Sequence, residues 1–241
     1  MSRIALIGYG KMGKAIEQEA IARDHHISFA IDRHNQEELQ LLSQENTDVV
    51  IEFTHPDSFS DNLTAVLDAG IPMVSGTTGW YEQIAFFEDL VAEKEGTFLY
   101  ASNFSIGVNI LFRLNQQLAA LMNRHEQYDC FIEERHHRHK ADSPSGTAYT
   151  LALQVLEELD RKKAMASDEL RKRAPREDEL SVGYVRSGEI IGTHRVSYTS
   201  EIDSISIQHR AHNRRGFALG AVIGAEWLIG KKGWFSFADV I

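Results

Sequence analysis

Short apolar runs that stop at turn residues and alternate with helical periodicity most constrain what this chain can fold into. Arg3–Ile7 (RIALI) stops at Gly8, and Lys11–Arg23 then sets Met12, Ala15, Ile16, Ala20 and Ile21 at roughly helical spacing. Ile27–Ile31 ends at Asp32. Asp48–Phe53 (DVVIEF) is the near-continuous apolar strand expected where both faces of a parallel sheet are covered. A helix from Asp57 carries Leu63, Val66 and Leu67 and ends at Gly70. Ile71–Val74 then reads as a strand, Tyr81–Glu95 as a helix closed by Gly96, and Thr97–Tyr100 as a fifth strand. Strands alternating with helices over this stretch give an α/β class, a Rossmann-type doubly wound parallel sheet.

The pattern changes after residue 105. A helix over about Val108–Met122, a strand at Tyr128–Arg135 and a helix from Gly146 to about Lys162 precede three strand-like stretches at Val182–Arg186, Glu189–Tyr198 and Ile202–Ala211. This makes a second, α+β sheet domain, followed by a closing helix at about Phe217–Ile229. Arg161–Glu179, rich in charge and poor in large apolar groups, reads as a mobile surface segment.

A formal charge of -10 argues against a general nucleic-acid or anionic-membrane binder, so any anion must be held by a local patch. The one cysteine, Cys130, allows neither an intrachain disulfide nor a cysteine metal cluster within one chain. Nowhere do 18 apolar residues run together, and the start shows no signal-peptide pattern, so the expected location is cytoplasmic.

Gly8-Tyr9-Gly10-Lys11-Met12-Gly13 fits GxGxxG between a strand and a helix. There the first glycine permits a tight turn, the second lets backbone approach a pyrophosphate, and the third lets helix and strand pack closely. Such glycines can also merely punctuate a turn. Asp32 stands about 20 residues on, where a carboxylate accepts ribose hydroxyls, and the adjacent Arg33 could pair with a 2′-phosphate. Both NADH and NADPH are therefore expected to serve, with NADH favoured. Gly76-Thr77-Thr78-Gly79 and Ser102-Asn103-Phe104-Ser105 follow the fourth and fifth strands, on the edge of the sheet where ligands bind; plain turn chemistry is the alternative.

His136-His137-Arg138-His139-Lys140 is the least ordinary stretch, since five consecutive potential cations repel one another unless an anion is near. Just beyond, Ser145 reads as a helix N-cap, with the Gly146 and Thr147 N–H groups pointing outward as a carboxylate site. A solvated charged loop is the bland reading. A metal on His137 and His139 is another, but no third ligand stands at a characteristic spacing.

GYGKMG, the EFTHP stretch from Glu52, GTTG, NFSIGVN from Asn103, EERHHRHKADSPSGTA and the run Arg186–Trp227 together resemble 4-hydroxy-tetrahydrodipicolinate reductases, formerly dihydrodipicolinate reductases, over nearly the whole chain. The resemblance implies a dinucleotide-binding domain over 1–105 and 212–241, and a substrate-binding and oligomerisation domain over 106–211 that assembles a homotetramer. It makes His136 the general acid or base and Lys140 the proton donor and substrate contact. His137, Gly146 and Thr147 become the holders of a small dicarboxylate substrate. Ser102 and Ser143 stand where alanine is commoner, and neither departure removes a proposed catalytic group. Another Rossmann amino-acid pathway dehydrogenase, or a non-catalytic NAD(H)-sensing protein, would account for the first hundred residues but not for HHRHK and PSGT. The tetramer also follows if Ile202, Ile205 and Ile207 lie on an open sheet face.

Overall fold

Apolar runs too short for helices pair side by side in the N-terminal part. The computed structural model describes residues 1–241, the side chain of Arg171 apart. The chain divides into one unit of Met1–Ile106 with Arg214–Ile241 and another of Gly107–Asn213. In the first unit β1 (Arg3–Ile7), β2 (His26–Ile31), β3 (Val49–Glu52), β4 (Met73–Ser75) and β5 (Thr97–Tyr100) are all parallel. Counting along the whole chain, the remaining strand is β11 (Gly233–Ser236), and the order is β11-β5-β4-β3-β1-β2. The order reverses beside β1, which places a crevice at its carboxyl end.

Alternate residues of these strands face opposite ways, and each face has its own cover. Ile4, Leu6, Val49, Ile51, Val74 and Leu99 pack on α1 (Lys11–Ala22) and α6, which by the same count is Arg215–Leu228. Ala5, Ile7, Val50, Met73 and Phe98 pack on α2 (Pro56–Asp68) and α3 (Ile84–Glu93). Phe59 on α2 is fully buried and stacks on Trp80 at 4.4 Å, a burial worth about 2–3 kcal/mol. The clasp of α1 on α6 is polar at its rim, where Glu226 accepts from Arg23 at 2.7 Å and meets His25 at 2.7 Å. β11 is the strand of this unit with no counterpart in the periodicity reading. GWFS is only four residues long, and it becomes a strand because α6 returns it alongside β5, where Trp234 packs on Phe98 at 4.8 Å.

The second unit runs α4 (Ile106–Met122), β6 (Asp129–His136), α5 (Gly146–Glu158), β7 (Ala164–Ala166), β8 (Glu179–Arg186), β9 (Gly192–Thr199) and β10 (Ser204–Ala211). Its sheet has the order β10-β9-β6-β8-β7, with β6 central, parallel to β8 and antiparallel to β9. The two helices cover one face. Leu111, Ala119, Leu151, Ala152 and Val155 meet Cys130, Ile132, Leu180, Val182, Val196 and Tyr198 there.

Two expectations need correction. Ile207 lies on the helix-covered face and packs against that core, while Ile205 is 45% and Ile202 85% exposed. By register the other face presents Phe131 and Val185 among Glu133, Arg135, Thr193, Arg195, Ser206, Gln208 and Arg210, so the open face is mainly polar. The stretch 161–179 is not simply a surface loop either. It contributes β7, and its Lys162 is 4% exposed, with Nζ donating to the Glu177 and Glu179 carbonyls at 2.8 and 2.9 Å and pairing with Asp129 at 2.6 Å. Glu179, buried, is held by Arg173 and Arg176, each at 2.7 Å. A charge-rich segment orders when its charges satisfy one another. Among the described residues no helix is long and apolar enough to cross a membrane.

Candidate active site

The three glycines of the first loop differ in what surrounds them. Gly8 has φ +98°, and a Cβ on it would fall 2.0 Å from the Phe53 carbonyl oxygen. On Gly13 a Cβ would fall 2.4 Å from the Gly8 oxygen, so that glycine is where α1 meets the end of β1. Around Gly10 a Cβ would meet nothing within 4 Å. Gly10 is also the N-cap of α1 and has no side chain to cap it, which leaves first-turn N–H groups for an anion. Beside this loop a cavity of about 440 Å³ is lined by Gly8, Tyr9, Gly10, Asp32, Arg33 and His34, with Thr54, Ser58 and Asn62 further along. The Asp32 carboxylate accepts from the His34 N–H at 2.8 Å, and Arg33 Nε reaches His34 Nε2 at 3.1 Å. Lys11 is exposed, and Met12 packs against the core instead of lining the cavity.

The loops after β3 and β4 are tied by a group the sequence reading passed over. Glu52 is fully buried and accepts from Ser75 at 2.6 Å, from Thr77 at 2.8 Å and from Thr54. Burial pushes its carboxyl above the usual range against those three hydrogen bonds. The Thr77 hydroxyl is thereby committed inward, leaving Gly76 half-buried and Thr78 exposed beside it. After β5, Ser102 is exposed, Asn103 Oδ1 accepts from the Ser105 N–H at 2.9 Å, and Phe104 is buried against Phe53 and Phe237. The Phe104 ring therefore anchors the loop and leaves only its backbone to meet a ligand.

In the second unit β6 turns Cys130, Ile132, Glu134 and His136 toward the covered face, so the apolar alternation of the strand ends in two titratable groups. Glu134 is 1% exposed. It accepts from the Ser145 N–H at 3.1 Å, from the Ser145 hydroxyl, and from Arg186 Nη2 at 2.5 Å. The imidazoles of His194 and His136 stand at 3.5 and 3.6 Å. Burial pushes the Glu134 carboxyl up, but hydrogen bonds from His194, Ser145 and Arg186 outweigh it and hold it at about 2. Burial drives His136 down to about 4, with Glu134 opposing and His194, Lys140 and Arg186 adding to the fall. The value of about 6.5 expected for an unperturbed histidine does not hold here, and His136 is neutral at neutral pH.

Ser145 does cap α5, its side chain accepting from the Ala148 N–H at 3.3 Å. Gly146 is exposed with open space where a Cβ would stand, and Thr147 is half-buried. Lys140 Nζ pairs with Asp142 at 2.7 Å. His137 is half-buried with its Nδ1 unpartnered among the described residues, whereas Arg138 and His139 are exposed. The structure therefore gathers His136 with Glu134, Arg186, Ser145 and His194 in one buried network. Glu134 could have been found from its place two residues before His136, on the same strand face. Arg186 and His194 come from β8 and β9, and only the registers His136↔Arg186 and Glu134↔His194 bring them there.

The group close enough to hold a metal is Glu134, His136 and His194, with ligand atoms within 4.8 Å of one another, and not His137 with His139. Arg186 and Ser145 already occupy that carboxylate, so a cation would have to compete with a guanidinium at 2.5 Å.

Comparison with known proteins agrees along the whole length. The model of the dihydrodipicolinate reductase N-terminus matches residues 2–104 and that of its C-terminus residues 107–241. A 4-hydroxy-tetrahydrodipicolinate reductase of Christiangramia forsetii is 45% identical over 99% of this chain and 97% of its own. One of Haloarcula marismortui is 34% identical over 100% and 99%. In fold, the chain is similar to a dipicolinate-bound dihydrodipicolinate reductase from Paenisporosarcina sp. TG-14, with a TM-score of 0.80, 22% identity and 100% coverage of both chains. With both halves matched in order and close relatives aligned end to end, this chain belongs to the dihydrodipicolinate reductase family.

Proposed function

We propose that this chain reduces 4-hydroxy-tetrahydrodipicolinate to tetrahydrodipicolinate with NADH or NADPH, in diaminopimelate and lysine biosynthesis. The observation that carries the reading is the open, Ser145-capped N-terminus of α5 beside His136 and the Lys140 loop, in a chain whose close relatives bear that name. The open Gly10 and the 440 Å³ cavity with Asp32 and Arg33 fit a dinucleotide. A reduced nicotinamide, when bound, supplies hydride to the electron-poor carbon of the cyclic substrate.

The protein's own residues then have separate tasks. Gly146 and Thr147 N–H groups and His137 hold the two substrate carboxylates, where the α5 dipole favours negative charge. Lys140 Nζ, kept near by Asp142, carries the proton that the ring gains. His136, neutral before substrate arrives, rises in pKa as the dianion approaches and shares a proton with it. The 4-hydroxyl leaves as water before reduction. A cytoplasmic setting goes with this reading, the single thiol, Cys130, being buried.

Loss of NADH absorbance with freshly made substrate is the test. Wild type should turn over, and Lys140→Ala and His136→Ala should each lose roughly a hundredfold or more while binding NADH as wild type does. NADH binding without any turnover would instead favour a nucleotide-sensing protein.

A further inference from the structure

We propose that Glu134 is the positioning residue of the dicarboxylate site, holding the basic loop and the N-terminus of α5 in one fixed arrangement. This deepens the function proposed above and rests on it. β6 places Glu134 on a covered face, where a carboxylate loses its water and must be held by several donors at once. One donor is Ser145 at the end of the loop after β6, and the other is Arg186 at the end of β8, which also ties that loop. Ser145, which caps α5, gives both its N–H and its hydroxyl. Arg186 gives Nη2, and that same nitrogen also donates to the Asp142 carbonyl at 2.6 Å.

The segment 137–145 therefore leaves β6 just beyond Glu134 and is brought back to it at two points, residue 142 through Arg186 and residue 145 directly. Just before the first stands Lys140, tied to Asp142, and just after the second stands the open Gly146. Cations and helix N–H groups thus share one anchor. Two carboxylates on a rigid ring need both at a set separation, and pre-arranging them removes an ordering cost from binding. Simple charge balance for Arg186 would need none of the Ser145 contacts.

The experiment compares Glu134→Gln with a double variant, Glu134→Gln with Arg186→Gln, in the full-length chain. Calorimetry with dipicolinate, a stable planar dicarboxylate, is read beside KM, kcat and NADH affinity. The dipicolinate Kd and the substrate KM of Glu134→Gln should rise about tenfold or more, with NADH affinity changed by less than about threefold. The double variant, which leaves no lone buried charge, should stay as weak. Wild-type dipicolinate affinity in either variant, or a fall in kcat with KM unchanged, overturns the proposal. If the single variant does not fold, the double variant decides alone: weak binding upholds the role and wild-type binding removes it. Failure of the wild type itself to bind dipicolinate falls on the proposed function, whereas equal binding by wild type and variants falls on Glu134.

Discussion

Two glycines three residues apart should respond in opposite ways to the same added methyl. At Gly13 a Cβ would sit 2.4 Å from the Gly8 carbonyl oxygen, about 1 Å inside ordinary contact, and backbone cannot swing aside as a side chain can. Alanine gains up to about 1 kcal/mol of helix propensity over glycine there, but overpacking of this kind costs about 1–3 kcal/mol and more when backbone must move. The overlap should win. Gly13→Ala is expected to lower Tm by several degrees, at about 2–4 °C per kcal/mol for a chain of this size. Gly10 has φ -84° and open space, so alanine fits. A gain of about 0.4–1 kcal/mol from the unfolded state roughly offsets the advantage that glycine holds over alanine at an N-cap. Gly10→Ala should therefore melt within about 2 °C of wild type. Its methyl would stand where a pyrophosphate approaches the helix start, and NADH affinity should fall about tenfold or more, or 1.4 kcal/mol. Thermal unfolding followed by circular dichroism, with NADH titration by fluorescence, reads both. Wild-type NADH affinity in a well-folded Gly10→Ala would mean that this loop does not hold the phosphates.

Because the folded pKa of His136 is about 4 against 6.5 when free, the unfolded chain binds more protons between those values. The group's contribution to stability is full above pH 6.5 and is lost as pH falls through 4, by about 3 kcal/mol at 1.36 kcal/mol per pH unit. His136→Gln should flatten the urea midpoint against pH over that window, and an unchanged slope would show that the imidazole is not buried neutral. Asp32→Asn keeps an acceptor for the His34 N–H while removing the charge that repels a 2′-phosphate, so the NADPH to NADH ratio of kcat/KM should rise about tenfold; Arg33→Ala should weaken NADPH selectively. A fixed ratio in both variants would put the ribose elsewhere. The free edge of β10 and the polar open face of its sheet should be covered in a homotetramer, and a sedimentation mass of one chain at about micromolar concentration would refute this.

The first sheet could be read from the sequence because its signals are local. A strand such as β3 is apolar at every position since both faces are covered, and Gly8, Gly70 and Gly96 mark where chain direction changes. β11 escaped because its pairing depends on β5, more than 130 residues earlier, and not on any pattern within GWFS. The isoleucines of β10 were assigned to the wrong surroundings for a related reason. Alternation tells which residues share a face, but not which face the helices cover, and α4 and α5 settled that by packing on the side of Ile132 and Val196.

The candidate site divides along the same line. HHRHK and the Ser145 cap are contiguous, so spacing alone found them. His194 and Arg186 lie 50 or more residues from His136 in the chain, in strands that carry no unusual composition. They reach Glu134 only because β6 is the central strand, so that His194 faces Glu134 from one side while Arg186, which faces His136 from the other, reaches across to it. The same centrality drives His136 down. Strands on both flanks and helices above remove water from the imidazole, and the cations that accompany Glu134 crowd it further. His136, which the family resemblance makes a general acid or base, is therefore buried and neutral at neutral pH in the folded chain. Burial holds it so, against the pull of the Glu134 carboxylate two positions earlier on its own strand.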